Sequence, residues 1–185
     1  MKIFAVYLSI DLTKKPDWLD DFRKQNNAWF GLHITLIQPR FIEDDQIDHL
    51  KARISDFLKK ERLTSTDKRL SFDKIVFEET AGRKYLFMWF TKENAMLMRL
   101  QKDLVSLLKD YDKYTDGSTK EYEMDFRPHI TIAEDIDANK KFEVEKLLSS
   151  SVACEGIINN LALPIVKDTS KEERENAENI TLYQL

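Results

Sequence analysis

The chain has 185 residues, 42% of them apolar and 34% charged, with a net charge of −4. That length suits one domain with a real core. The acidic balance, without a basic stripe, excludes a gripper of long duplex nucleic acid, whose affinity rests on neutralised phosphates. The single cysteine, Cys154, excludes an intramolecular disulfide and a Cys-rich zinc site, and it reads as a small buried hydrophobe.

Ile3 to Ile10 is rich in β-formers and reads as a buried strand rather than a signal peptide. No run is long enough to span a bilayer, so the expectation is a cytoplasmic protein that engages no membrane. Pro16 opens a short helix to about Asn26, with Trp18, Leu19 and Phe22 on one side. Residues 32–38 form a second strand, ended by Pro39. Asp44 or Asp45 caps a helix to about Glu61, with Ile47, Leu50, Ile54, Phe57 and Leu58 as its apolar stripe. Strands follow at about 70–78 and 84–91, joined through Ala81-Gly82. Asn94 caps a second long helix that buries Leu97, Leu100, Leu104, Leu107 and Leu108. A polar loop, 112–125, carries Gly117 and fits either a mobile lid or an inert surface loop. Then come a strand at 126–133, a helix at about 138–149, and strands at 152–166 and 178–185 around a solvated, charged loop at 167–177. This order is α/β or α+β and is not a doubly wound parallel sheet.

Two of the three histidines sit in near-identical tetrapeptides, His33-Ile34-Thr35-Leu36 and His129-Ile130-Thr131-Ile132, 96 positions apart. On a strand, successive side chains alternate faces. Each strand therefore buries its aliphatic residues on one side and presents an imidazole and a hydroxyl on the other. Phosphodiester cleavage needs a base for the attacking hydroxyl or water and an acid for the leaving oxygen. Histidine suits both tasks near neutral pH. Threonine hydroxyls can donate to the non-bridging phosphate oxygens as charge develops. His49, mid-helix among charged residues, reads as surface.

At these residues the sequence resembles the two-histidine (2H) phosphoesterase superfamily, with its LigT-like 2′-5′ RNA ligases and cyclic phosphodiesterases. Phe126-Arg127-Pro128-His129-Ile130-Thr131-Ile132-Ala133 resembles that family's second signature, and His33-Ile34-Thr35-Leu36 carries the core of the first. The resemblance implies a single bilobal α+β domain with antiparallel sheets, pseudo-twofold symmetry and a central cleft. His33 and His129 would be the acid/base pair, and Thr35 and Thr131 would hold phosphate. After the first motif the chain reads Ile37-Gln38-Pro39-Arg40, without the Phe-Leu-Gly frequent in LigT-like members.

Family members also use aromatics and a cation at the cleft rim. The candidates are Tyr7, Trp29, Phe30, Arg40, Phe126 and Arg127, each with core packing or a solvated surface as the competing reading. No phosphate-binding glycine loop, dinucleotide fingerprint, helical metal motif or serine or cysteine nucleophile signature is present. The expectation is a monomeric phosphodiesterase that needs no metal or cofactor. It would act on a 2′,3′-cyclic phosphate, a 2′-5′ linkage or a cyclic oligonucleotide signal; viral members of the superfamily degrade such signals to blunt host immunity. An RNA or nucleotide sensor on the same fold and an RNA 2′-5′ ligase are the alternatives.

Overall fold

The structure, a computed structural model, describes residues 1–26, 28, 30–61, 63–80, 84–140, 146 and 154–185. Seven strands form one antiparallel sheet: β1 (Lys2–Lys14), β2 (His33–Ile42), β3 (Arg69–Thr80), β4 (Lys84–Thr91), β5 (His129–Asp137), β6 (Cys154–Val166) and β7 (Ile180–Gln184). The order is β2-β1-β6-β3-β4-β5, with β7 also on β6. The long strand β6 joins the two halves. Its start pairs with β3 and its end with β7, while β1 runs along its other edge. The fold is α+β, one of the two classes that the element order left open and the one the resemblance implied.

Among the described residues five helices accompany the sheet: α1 (Leu19–Gln25), α2 (Ile47–Lys60), α3 (Ala95–Leu107), α4 (Gly117–Met124) and α5 (Lys171–Glu175). In α2 and α3 the apolar stripes bury Leu50, Ile54, Leu97, Leu100, Leu104 and Leu108 in one core with Phe4, Leu8, Ile34 and Ile132. Asn94 caps α3 by accepting from the Leu97 amide at 3.0 Å. Before α2, a short 3-10 turn (Asp44–Gln46) is capped reciprocally by Glu43 and Gln46, one residue earlier than expected. Cys154 is buried, as its chemistry suggested.

Five expectations change, the last of them only in part. Pro39 does not end β2, which runs on to Ile42. It falls where the pairing with β1 skips, between Arg40 opposite Phe4 and Ile37 opposite Val6. A bulge on an outer strand tolerates a residue without an N–H. The loop 112–125 contains α4, whose Glu123 is buried, so the segment is anchored where a mobile lid was one reading. The charged loop 167–177 holds α5. The strand expected from 126 begins at His129. Of the helix expected at 138–149, a 3-10 turn covers Ala138–Lys140. The rest, apart from Lys146, lies outside the described residues, as do Ala81-Gly82. No helix among the described residues is long and apolar enough to cross a membrane.

Candidate active site

The two ends of the strand order, β2 and β5, come back into contact. These are the strands that carry the two motifs. Both open on their histidine, and both run half-buried, buried, half-buried, buried, buried over the first five residues. His33 and Thr35 thus share the accessible face while Ile34 and Leu36 are in the core, and His129 and Thr131 relate to Ile130 and Ile132 in the same way.

The match extends into the backbone register. Tyr7 and Val6 pair with Thr35 and Ile37, so Leu36 is an extra residue on β2. Met88 and Phe87 pair with Thr131 and Ala133, so Ile132 is the extra residue on β5. A second skip follows in each strand, to Arg40 opposite Phe4 and to Ile136 opposite Tyr85. Every equivalent position keeps the 96-residue offset of the histidines. Bulges re-aim side chains beside sites, and here one directly follows each phosphate-facing threonine candidate.

Both imidazoles are also fixed alike. His33 Nδ1 donates to the Gly31 carbonyl at 2.8 Å, and His129 Nδ1 donates to the Arg127 carbonyl at 2.7 Å. A carbonyl only accepts, so in the neutral ring Nδ1 carries the proton and Nε2 keeps its lone pair. Tyr7 and Phe30 flank His33, with ring centroids 4.8 and 4.7 Å away, and Phe90 lies 5.2 Å from His129. A cation sits against one phenylalanine on each side: Arg174 is 5.5 Å from the Phe30 ring and Arg127 is 5.6 Å from the Phe90 ring.

A pocket joins Thr35 and Gln38 of β2 to His129 of β5, walled by Met88, Phe90, Tyr122 and Phe126. A wider groove of about 310 Å³ flanks His33, lined by Tyr7, Phe30, Asp11 and Arg174 among others. Burial pushes the His33 pKa down to about 4, and positive charge on His129, Arg174 and Arg23 adds to this against the Gly31 carbonyl. His129 is lowered too, by burial and then by Arg127, opposed by the Arg127 carbonyl and by Glu78.

Of the rim candidates, Tyr7 and Phe30 meet at His33, and Phe126 and Arg127 at His129. Arg127 is ion-paired to Asp125 at 3.4 Å and Glu78 at 3.8 Å. Trp29 lies outside the described residues. Arg40 is a correction: it is 1% exposed, paired with buried Glu123, and bonded to the Leu108 and Tyr111 carbonyls and the Tyr114 hydroxyl. Its guanidinium is consumed by the core. Arg40 sits after the second skip, 96 positions before buried Ile136. His49 is exposed, as expected, and contacts the Tyr111 hydroxyl. Sequence reasoning missed Phe90, Arg23, Arg174 and Glu123. Phe90 pairs with His129 across the sheet, which only the register reveals.

A family model described as the 2′-5′ RNA ligase superfamily matches residues 14–166. The chain belongs to the 2′-5′ RNA ligase superfamily. The 2H phosphoesterase resemblance read from the two motifs is thereby shown. This 2H protein is similar in fold to Kluyveromyces marxianus Usb1. The two chains are 10% identical, with a TM-score of 0.53 over 99% of this chain and 98% of that one. At that identity the likeness concerns the fold alone. A comparison with curated proteins finds no match. Arg174 lies beyond the segment that the family model matches, so its place beside Phe30 and His33 belongs to this chain's own C-terminal part.

Proposed function

We propose that the protein is a phosphodiesterase that cleaves nucleotide or short-oligonucleotide phosphodiesters by two-histidine acid/base catalysis, without a metal. The observation that carries this reading is the repeated local frame. Two imidazoles on facing strands each have Nδ1 bound to the carbonyl two residues back, and each has a threonine two residues on. One Nε2 takes the proton from the attacking hydroxyl or water as the new P–O bond forms. The other imidazolium gives its proton to the leaving oxygen as the old P–O bond breaks. Thr35 and Thr131 donate to the non-bridging oxygens, where negative charge grows toward the transition state. Arg127, half-exposed at the pocket with His129, adds positive charge there. Tyr7 and Phe30 offer aromatic surface to a base on the His33 side.

The test is incubation with 2′,3′-cyclic nucleotides, 2′-5′ oligomers and cyclic di- and trinucleotides, with and without EDTA. Cleavage of at least one class, insensitive to EDTA, supports the proposal. Cleavage abolished by EDTA and restored by a divalent ion contradicts its metal-free part. The family description favours one second reading, RNA 2′-5′ ligation, which is the same proton transfers run backwards. Its arm of the assay pairs a 2′,3′-cyclic phosphate end with a 5′-hydroxyl end and looks for the joined product.

A further inference from the structure

β2 and β5 are the outer strands of the sheet order, so among the described residues one edge of each backbone lacks a neighbouring strand. Backbone groups on such an edge need other partners. In both cases a charged side chain from the short helix leading into the opposite motif supplies one. Arg23 sits on α1, which precedes β2. Its Nη1 nevertheless donates to the carbonyls of Thr131 (3.3 Å) and Ile132 (3.2 Å) on β5. In a regular strand two successive carbonyls point to opposite edges. The bulge at Ile132 lets both meet one guanidinium. Arg23 Nη2 donates to the carbonyls of Ala28 (3.2 Å) and Phe30 (2.6 Å), in the segment just before β2. Reciprocally, Glu123 sits on α4, which precedes β5, and its Oε2 accepts from the Gln38 amide of β2 at 2.9 Å.

We propose that Arg23 is a positioning residue that sets the two histidines relative to each other. It does so by tying the Thr131–Ile132 backbone to the Phe30–Gly31 segment. The chain of contacts is short. Gly31 holds the His33 ring through its carbonyl, its neighbour Phe30 packs on that ring, and both are one residue or less from an Arg23 bond. On the other side Thr131 follows His129 by two residues on the same face. Two-group proton transfer is sensitive to spacing, and a misplacement of about 1 Å can cost on the order of a hundredfold. A planar fork with five donors suits four carbonyls, whereas an ammonium cannot reach both sides at once. The proposal rests on the two-histidine reading of the site.

Glu123 cannot isolate the effect, because removing it also strands buried Arg40. Arg23→Lys and Arg23→Met are therefore compared with Ile54→Val, a core truncation in α2, which contributes nothing to the site. Three quantities are read: Tm, kcat and KM on a diester the wild type cleaves, and NMR titration of the His33 and His129 ring nitrogens. The last needs no activity. The charges acting on His33 are those of His129, Arg174 and Arg23, so losing Arg23 should raise the His33 midpoint. Both Arg23 variants should lower kcat at least about tenfold with KM within about threefold, Lys less than Met. Ile54→Val should lower Tm and leave kcat and both titrations alone. Arg23 variants that lose Tm but keep wild-type kcat and titrations would overturn the proposal. Where Arg23→Met does not fold, Arg23→Lys decides by the same kcat and KM readouts. If the wild type cleaves no diester, a shifted histidine titration in Arg23→Lys, which keeps the charge and loses the fork, still supports positioning while the catalytic reading fails, and wild-type titrations in that variant overturn it.

Discussion

His33 is held neutral by its surroundings, and this has a consequence for stability as well as for chemistry. Its pKa in the fold is about 4, against 6.5 for an ordinary histidine. Between those values the unfolded chain binds the proton and the folded one does not, so stability rises with pH across the window and is lost as pH falls through it. His33→Gln removes this dependence. Relative to wild type, the variant should gain on the order of 2 kcal/mol between pH 7 and pH 4.5, read by urea denaturation at both; an unchanged difference would contradict the depressed pKa. For the threonines, charge on the phosphate oxygens grows toward the transition state, so Thr35→Val and Thr131→Val should each lower kcat by about tenfold or more with little change in KM. A rise in KM at constant kcat would mean that the hydroxyls act only in ground-state binding. The matching strand placement of His33, Thr35, His129 and Thr131 was legible from strand parity and repetition. Arg23 was not, because an arginine on a short helix carries no signature. Its role exists only once a bulge 109 positions away turns a carbonyl toward it.

At the scale of elements, α4 fixes one wall of the site. Glu123 takes the Arg40 guanidinium, the Tyr114 hydroxyl at 2.6 Å and the Gln38 amide, and its own carbonyl accepts from Gln101 at 3.0 Å. This network pushes the Tyr114 pKa up to about 12, through burial first and the Glu123 bond second. It also carries Tyr122 and Asp125 to the pocket with His129. Breaking a buried pair from one side leaves a naked charge, which typically costs about 3–5 kcal/mol, while removing both charges can be near neutral. Glu123→Ala should therefore be strongly destabilised in urea, and adding Arg40→Met should recover a large part of the loss. A double variant no better than the single one would show that the charge pair is not what holds α4. The long helices, by contrast, were readable from their leucine spacing and the Asn94 cap. α4 escaped because Gly117-Ser118-Thr119-Lys120 has no apolar stripe and buries only an acid.

For the whole molecule, the sequence offered one echo, two tetrapeptides at a fixed offset, and the structure extends it to paired bulges, paired ring contacts and crossed helix anchors. Element order left α/β and α+β open, and the α+β class and the meeting of the motifs followed from the resemblance. What could not be read is how one strand, β6, serves both halves, because its aliphatic run, interrupted by Glu155, Asn159 and Asn160, names no partner. Nor could the asymmetry be read, with a groove beside His33 that includes Arg174 from beyond the family-matched segment. The central claim is that one imidazole acts as base and the other as acid, so the active form holds one proton between them. The direct measurement is kcat/KM against pH for wild type, His33→Ala and His129→Ala, with Tm recorded for each. The wild type should give a bell peaking on the acid side of neutrality, since both histidines are shifted down in the free protein. Each variant should fall at least about a hundredfold and lose one limb, at a Tm that shows it folded. A profile flat from about pH 4 to 9, across the range where these imidazoles titrate, or a double variant with near-wild-type rate, would contradict it.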